Sequence, residues 1–138
     1  MIFSKSCVYG LRASIYLASI SGDEYISIKG LSDKLDISFH FLTKILQELT
    51  AADLLESMKG PKGGVRLSKS GSEITLKEVV EAIDGPAIFT ECVLGLPGCG
   101  SEKPCPMHAM WEDTRDEINE VFISTTLQNM SKEGKAKD

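Results

Sequence analysis

Three glycines and a proline fall within six residues, Lys59-Gly60-Pro61-Lys62-Gly63-Gly64, and neither a helix nor a long strand runs through such a stretch. On either side stand short apolar-rich runs, Leu54-Leu55-Glu56-Ser57-Met58 and Val65-Arg66-Leu67, each suited to a small strand. The chain is therefore expected to reverse here as a β-hairpin with a basic tip. What precedes it narrows the fold further. Ser27 can cap a helix with Ile28, Leu31 and Leu35 on its apolar face, and Asp36-Ile37-Ser38 then breaks the pattern. Ser38 can cap a second helix with Phe39, Leu42, Ile45, Leu46 and Leu49 along one stripe, the first four of them expected in the core. Two short helices joined by a tight turn form a helix-turn-helix. With a hairpin directly after it, the unit is a winged helix.

The flanking segments fit around that unit. A first helix from about Ser6 to Ser19 places Val8, Leu11, Ile15 and Ala18 at helical spacing, with Tyr16 and Leu17 widening the apolar face, and Ser21-Gly22-Asp23 signals a turn. Thr75-Leu76-Lys77-Glu78 is a capping box, opening a helix through Val79, Val80 and Ile83 that stops at Gly85-Pro86. Between Cys92 and Cys105 the residues Gly95, Pro97, Gly98, Gly100 and Pro104 exclude a regular element. A long helical pattern then runs through Trp111, Ile118, Val121, Phe122, Thr125 and Met130. Its wide apolar face lies outside the winged-helix core and needs a cover. A second copy of the chain is the economical one. The expected fold is mainly α with a small β-hairpin wing, a winged helix-turn-helix plus a long C-terminal dimerisation helix. The expected divisions are 1–85 for the winged helix-turn-helix region, 86–108 for a cysteine-rich loop, 109–130 for the dimerisation helix and 131–138 for a disordered tail.

At 138 residues and 42% hydrophobic, the chain has material for one core. No run approaches the ~18 apolar residues of a membrane span. The stretch Met1 to Cys7 lacks the apolar block of a signal peptide, so the expectation is a cytoplasmic protein with no membrane partner. The net charge of −5 would argue against nucleic acid until it is divided. Residues 1–70 carry nine Lys/Arg against seven Asp/Glu, or +2, and residues 71–138 carry six against thirteen, or −7. Field effects follow local charge. Lys59, Lys62, Arg66 and Lys69 lie in eleven residues without an acid.

A polyanion is thus expected at the wing and the second helix of the pair. That helix can present Ser38, His40, Thr43, Lys44 and Gln47 to the major groove of double-stranded DNA, with Lys59, Lys62 and Arg66 on phosphates. Winged helices also serve as protein-interaction modules, but the clustered positive charge on an acidic chain favours DNA.

Three of the four cysteines sit in one irregular segment, ordered Cys92, Cys99, Cys105 and then His108 within seventeen residues. Stable disulfides are rare in the cytosol, so metal or redox chemistry is the better expectation. Structural zinc prefers closely spaced cysteine pairs, which spacings of six and five residues lack. Wider thiolate spacing suits an iron–sulfur cluster. Zinc stands second and an unligated thiol trio third. Cys7 reads as a small buried hydrophobe, and His108 could also simply sit in the long helix's first turn.

Taken together, Tyr9-Gly10-Leu11-Arg12-Ala13, the helix-turn-helix, the wing from Lys59 to Leu67 and Leu76-Lys77-Glu78-Val79-Val80-Glu81-Ala82-Ile83-Asp84-Gly85 resemble the bacterial winged-helix transcriptional regulators of the IscR/NsrR/RirA family. The resemblance covers about residues 1–130. It implies a homodimer with crossing C-terminal helices, palindromic operator DNA as partner, and an iron–sulfur cluster held by Cys92, Cys99 and Cys105. IscR-like members add a histidine just after the third cysteine, where His108 stands, which implies a 2Fe–2S cluster. NsrR-like members hold a 4Fe–4S cluster with an aspartate placed one residue before the tyrosine, where this chain has Val8. Cys7 beside it is the alternative fourth ligand. Thr43 stands where relatives often carry glutamate, and because the two side chains select different base edges the resemblance does not carry over an operator sequence.

The expected function is a DNA-binding transcriptional regulator, acting as a repressor, whose operator binding follows iron or cluster status, redox state or nitric oxide. A metal-free thiol/disulfide regulator and a protein-interaction scaffold in iron–sulfur assembly are the rivals. No catalysis is expected, because neither His40 nor His108 has a nucleophile–carboxylate partnership.

Overall fold

The computed structural model describes residues 2–20, 24–91 and 106–132. Its elements in chain order are α1 (Lys5–Ser19), α2 (Ile28–Leu35), α3 (Phe39–Ala51), β1 (Leu55–Met58), β2 (Gly64–Leu67), a 3₁₀ turn (Gly71–Glu73), α4 (Leu76–Asp84), α5 (Ala87–Thr90), α6 (His108–Ser124) and α7 (Leu127–Lys132). The strands pair antiparallel, with Ser57 opposite Val65 and Glu56 opposite Arg66. Ile26 exchanges both backbone hydrogen bonds with Val65, each 2.9 Å, and so fastens the hairpin to the chain entering α2. This is a winged helix.

Short-range chemistry explains where the helices start. The Ser27 hydroxyl accepts from the Gly30 amide at 3.0 Å and the Ser38 hydroxyl from the Phe41 amide at 3.3 Å. Thr75 and Glu78 cap each other reciprocally, at 3.0 and 3.2 Å. Between α2 and α3 the chain turns through Asp36 in the left-handed conformation, φ 56°. Aspartate tolerates that region better than most residues.

The main core gathers Leu31, Leu35, Leu42, Ile45, Leu46 and Leu49 with Val65, Ile74, Val79 and Leu127, none more than 1% exposed. A second cluster joins Cys7 of α1, Val80 of α4 and Phe89 of α5. Ile118 and Phe122 of α6 pack against it, with the Phe122 ring 5.2 Å from Phe3 and 6.0 Å from Phe89.

Four sequence expectations need correction. The C-terminal helix does not run unbroken to Met130. It ends at Ser124, and Thr125-Thr126 pairs with the stretch before α4: the Leu76 amide donates to the Thr125 carbonyl and the Leu127 amide to the Ile74 carbonyl, both at 2.9 Å. Those long-range bonds replace a helical turn and deliver Leu127 into the core. In α1 Cys7, Ile15 and Leu17 are buried as expected, but Val8, Leu11 and Ala18 are only half-buried, and Gly10, Ala13 and Ser14 are enclosed instead, where α3, α4 and α7 all pack on that helix. Phe39 is not a core residue and stands 47% exposed. The stretch 86–108, read as loop, contains the short α5 and the first residue of α6. The turn Ser21-Gly22-Asp23, the cysteines Cys92, Cys99 and Cys105, and tail residues 133–138 lie outside the described residues.

Candidate functional site

The wing and α3 flank one open groove of about 630 Å³, lined by Phe39, Thr43 and Gln47 from α3 and by Met58, Lys59 and Gly63 from the hairpin. His40, Lys44 and Gln47 are exposed on α3, and Thr43 is half-buried. Ser38 is exposed but its hydroxyl already serves as the helix cap. Lys59 and Lys62 are exposed at the hairpin tip, where the Gly63 amide closes the turn on the Gly60 carbonyl at 3.0 Å. Arg66 is placed differently. It lies within β2, with Nε 3.0 Å from Glu56 Oε1 and its guanidinium 4.4 Å from the centre of the Tyr25 ring. Tyr25, next to the Ile26 that pairs with Val65, was not anticipated from sequence, because a cation–π partner about forty residues away leaves no local signal.

The two wing lysines offer a direct test of phosphate contact. Lys59→Ala or Lys62→Ala should lower the slope of log affinity against log salt by about 0.9 for each phosphate released per protomer. DNA titrations at several salt concentrations check this. An unchanged slope in both variants would remove the wing from the interface.

Apart from that groove, the structure brings together residues that border the cysteine segment. The Trp111 indole donates to the Glu91 carbonyl at 2.8 Å, and Arg115 Nη1 donates to the Thr90 carbonyl at 3.1 Å. Glu91 immediately precedes Cys92, and His108 lies one turn before Trp111 on α6. His108 Nε2 is 3.5 Å from Glu112 Oε2, and the same oxygen is 3.8 Å from Arg115 Nη2. Sequence reasoning missed this clamp because a backbone carbonyl carries no residue-type signature. The helical spacing of His108, Trp111 and Arg115 was its only trace.

Cys7 has a contrasting environment. It is 0% exposed, and burial pushes its thiol up to about 12, with the negative Asp84 carboxylate and its hydrogen bond adding to the rise. Asp84 is itself held by the backbone amide of Ser4 at 2.9 Å. Among the described residues no group of three or more His, Cys, Asp or Glu side chains is placed to hold a metal ion. The donor set that would do so, three thiols and an imidazole, has only His108 within those residues. Its chemistry suits an iron–sulfur cluster, and Glu112 beside His108 is the kind of carboxylate that orients a ligating imidazole.

A helix-turn-helix carrying a basic wing, with an exposed polar face on its second helix, defines a DNA-binding transcriptional regulator rather than an enzyme. A family model described as Rrf2, iron-dependent transcriptional regulator, matches residues 3–133, and the chain belongs to this family. It is 31% identical over 122 residues to the HTH-type transcriptional regulator IscR of Photorhabdus laumondii, covering 88% of this chain and 74% of that one. The structure is similar to that of CymR, the global cysteine regulator of B. subtilis, with a TM-score of 0.80 and 27% identity over 95% of this chain and 96% of that one. T. potens IscR gives a TM-score of 0.76 at 25% identity, over 96% and 87% of the respective chains. Among the described residues no helix is long and apolar enough to cross a membrane.

Proposed function

We propose that the protein is a cytoplasmic, homodimeric repressor of palindromic operators, and that Cys92, Cys99, Cys105 and His108 hold a 2Fe–2S cluster that sets its grip on DNA. The observation that carries this reading is the clamp at the base of the cysteine segment. Trp111 and Arg115 tie the residues just before Cys92 to the helix whose first residue is His108. Both ends of a four-donor segment are thereby anchored on α6. When bound, such a cluster supplies iron chemistry that responds to oxidants, nitric oxide and iron supply. His108 is preferred to Cys7 as fourth ligand, because Cys7 is enclosed with Val80 and Phe89 and a ligating cysteine must be a thiolate. A 4Fe–4S cluster is the lesser alternative.

The chain's own packing supplies a route from that segment to DNA. Through Ile118 and Phe122, α6 rests on the cluster formed by α1, α4 and α5. At Gly10, where a β-carbon would come within 2.2 Å of Ile83 and 3.3 Å of Ile45, α1 meets both α4 and α3 closely. A shift of α6 on this platform would alter the placement of α3 relative to its partner copy. A differential of ~1–3 kcal/mol between the two arrangements changes operator affinity about 5- to 150-fold.

The test is anaerobic purification with visible absorption, iron and sulfide analysis, and operator binding before and after air. The wild type should be coloured and should change affinity on losing iron. The triple Cys92→Ser, Cys99→Ser, Cys105→Ser variant should be colourless, with operator binding indifferent to air. A colourless, iron-free wild type whose binding still responds to oxidants would instead support a reversible Cys99–Cys105 disulfide. The likeness to CymR, a cysteine regulator, favours that second reading.

A further inference from the structure

We propose that Phe39, with Thr43 behind it, reads thymine 5-methyl groups in the major groove and thereby biases the operator toward A·T pairs at the positions facing the first turn of α3. This rests on the reading of α3 as the helix that enters the groove. Phe39 belongs by spacing to the apolar stripe of α3, yet Leu42, Ile45 and Leu46 of that stripe are at most 1% exposed while Phe39 is 47% exposed. It lies at the start of the helix, on the wall of the groove shared with the wing. Met58, 49% exposed, lines the same groove from the hairpin.

The Thr43 hydroxyl donates to the Phe39 carbonyl at 2.7 Å, so its hydrogen stays within the helix. The Ser38 hydroxyl accepts from the Phe41 amide and keeps its own hydrogen, as a helix cap does. Beside these hydroxyls the first turn of α3 offers DNA an aromatic ring flanked by His40, whose ring centre is 6.0 Å away. Lys29 and Lys59 border the groove, and Lys44 is exposed on α3, so the apolar surface is framed by charges complementary to phosphate. The thymine methyl is the apolar feature that a base edge presents in the major groove. An aromatic side chain without a free donor matches it and matches no other edge there.

The experiment uses the full chain as it is isolated. The protein first selects its operator from a random duplex pool, and each thymidine of the selected half-site is then replaced in turn by deoxyuridine, which removes only the methyl. The wild type should lose about three- to fivefold in affinity at one or two of these positions, as expected for one buried methyl. Phe39→Ala should bind the thymidine operator more weakly and no longer distinguish it from the deoxyuridine one. Phe39→Leu should keep part of the discrimination, and Lys59→Ala should weaken both duplexes equally. A wild type that holds every deoxyuridine duplex as tightly as the original overturns the inference and leaves DNA binding standing. A pool from which no sequence is enriched fails the reading of α3 itself, and this inference with it.

Discussion

Gly64→Ala is expected to destabilise the protein by about 2–4 kcal/mol, a large share of the ~5–15 kcal/mol that holds a domain together. The cause is the seam between the wing and the chain entering α2. Gly64 has φ +149°, and a β-carbon there would lie 2.0 Å from the Ile26 carbonyl oxygen and 2.8 Å from the Ser27 nitrogen. Backbone cannot swing aside as a flexible side-chain tip does. Relief would require breaking the pair of 2.9 Å bonds between Ile26 and Val65, and Val65 is only 1% exposed. Gly60 provides the control, since it also has positive φ, +109°, but has nothing within 4 Å of the added carbon. Gly60→Ala should cost only the backbone strain, about 1 kcal/mol. Thermal denaturation of the two variants, with amide exchange at Ile26 and Val65, checks the difference. Equal melting temperatures would mean that the close approach at Gly64 does not govern stability.

The same seam shows what was legible in the sequence. The hairpin could be read because glycine and proline act locally, and the starts of α2, α3 and α4 because Ser27, Ser38 and Thr75 each bond an amide three residues on. The break after Ser124 could not be read. Val121, Phe122 and Thr125 keep helical spacing, and only pairing with the distant stretch Ile74–Leu76 pulls the chain out of the helix. The exposure of Phe39 was hidden for a related reason, since spacing assigns a residue to a stripe but not to the stripe's buried portion. For the candidate site, the proposed donor set Cys92, Cys99, Cys105 and His108 comes from residue types and spacing alone, and three of the four lie outside the described residues. The anchoring through Trp111 and Arg115 was not legible, because its acceptors are main-chain carbonyls.

On the proposed homodimeric reading, Val121→Asp is expected to give a monomer and to lower operator affinity about 100-fold or more, with little loss of protomer stability. The inward face of α6 is occupied by Trp111, Arg115, Ile118 and Phe122, two of which pack on the cluster around Cys7. Met110 and Val121 lie about three turns apart on one flank, and remain 72% and 55% exposed. Ile123 is 48% exposed. A helix this acidic, with Glu112, Asp113, Asp116, Glu117 and Glu120, has no need of large apolar side chains for its own protomer. They are explained if a second copy covers them. A carboxylate at Val121 would be solvated in the monomer but desolvated without a partner in that interface. The link to DNA is one of effective concentration. A dimer that has placed one recognition helix presents the other to a half-site one DNA turn away, a gain of roughly 10²–10⁴ over independent binding. Sedimentation and operator titration check the two halves separately. A variant that stays dimeric, or a monomer that holds the full operator as tightly as the wild type, would show that α6 is not what pairs the two readers.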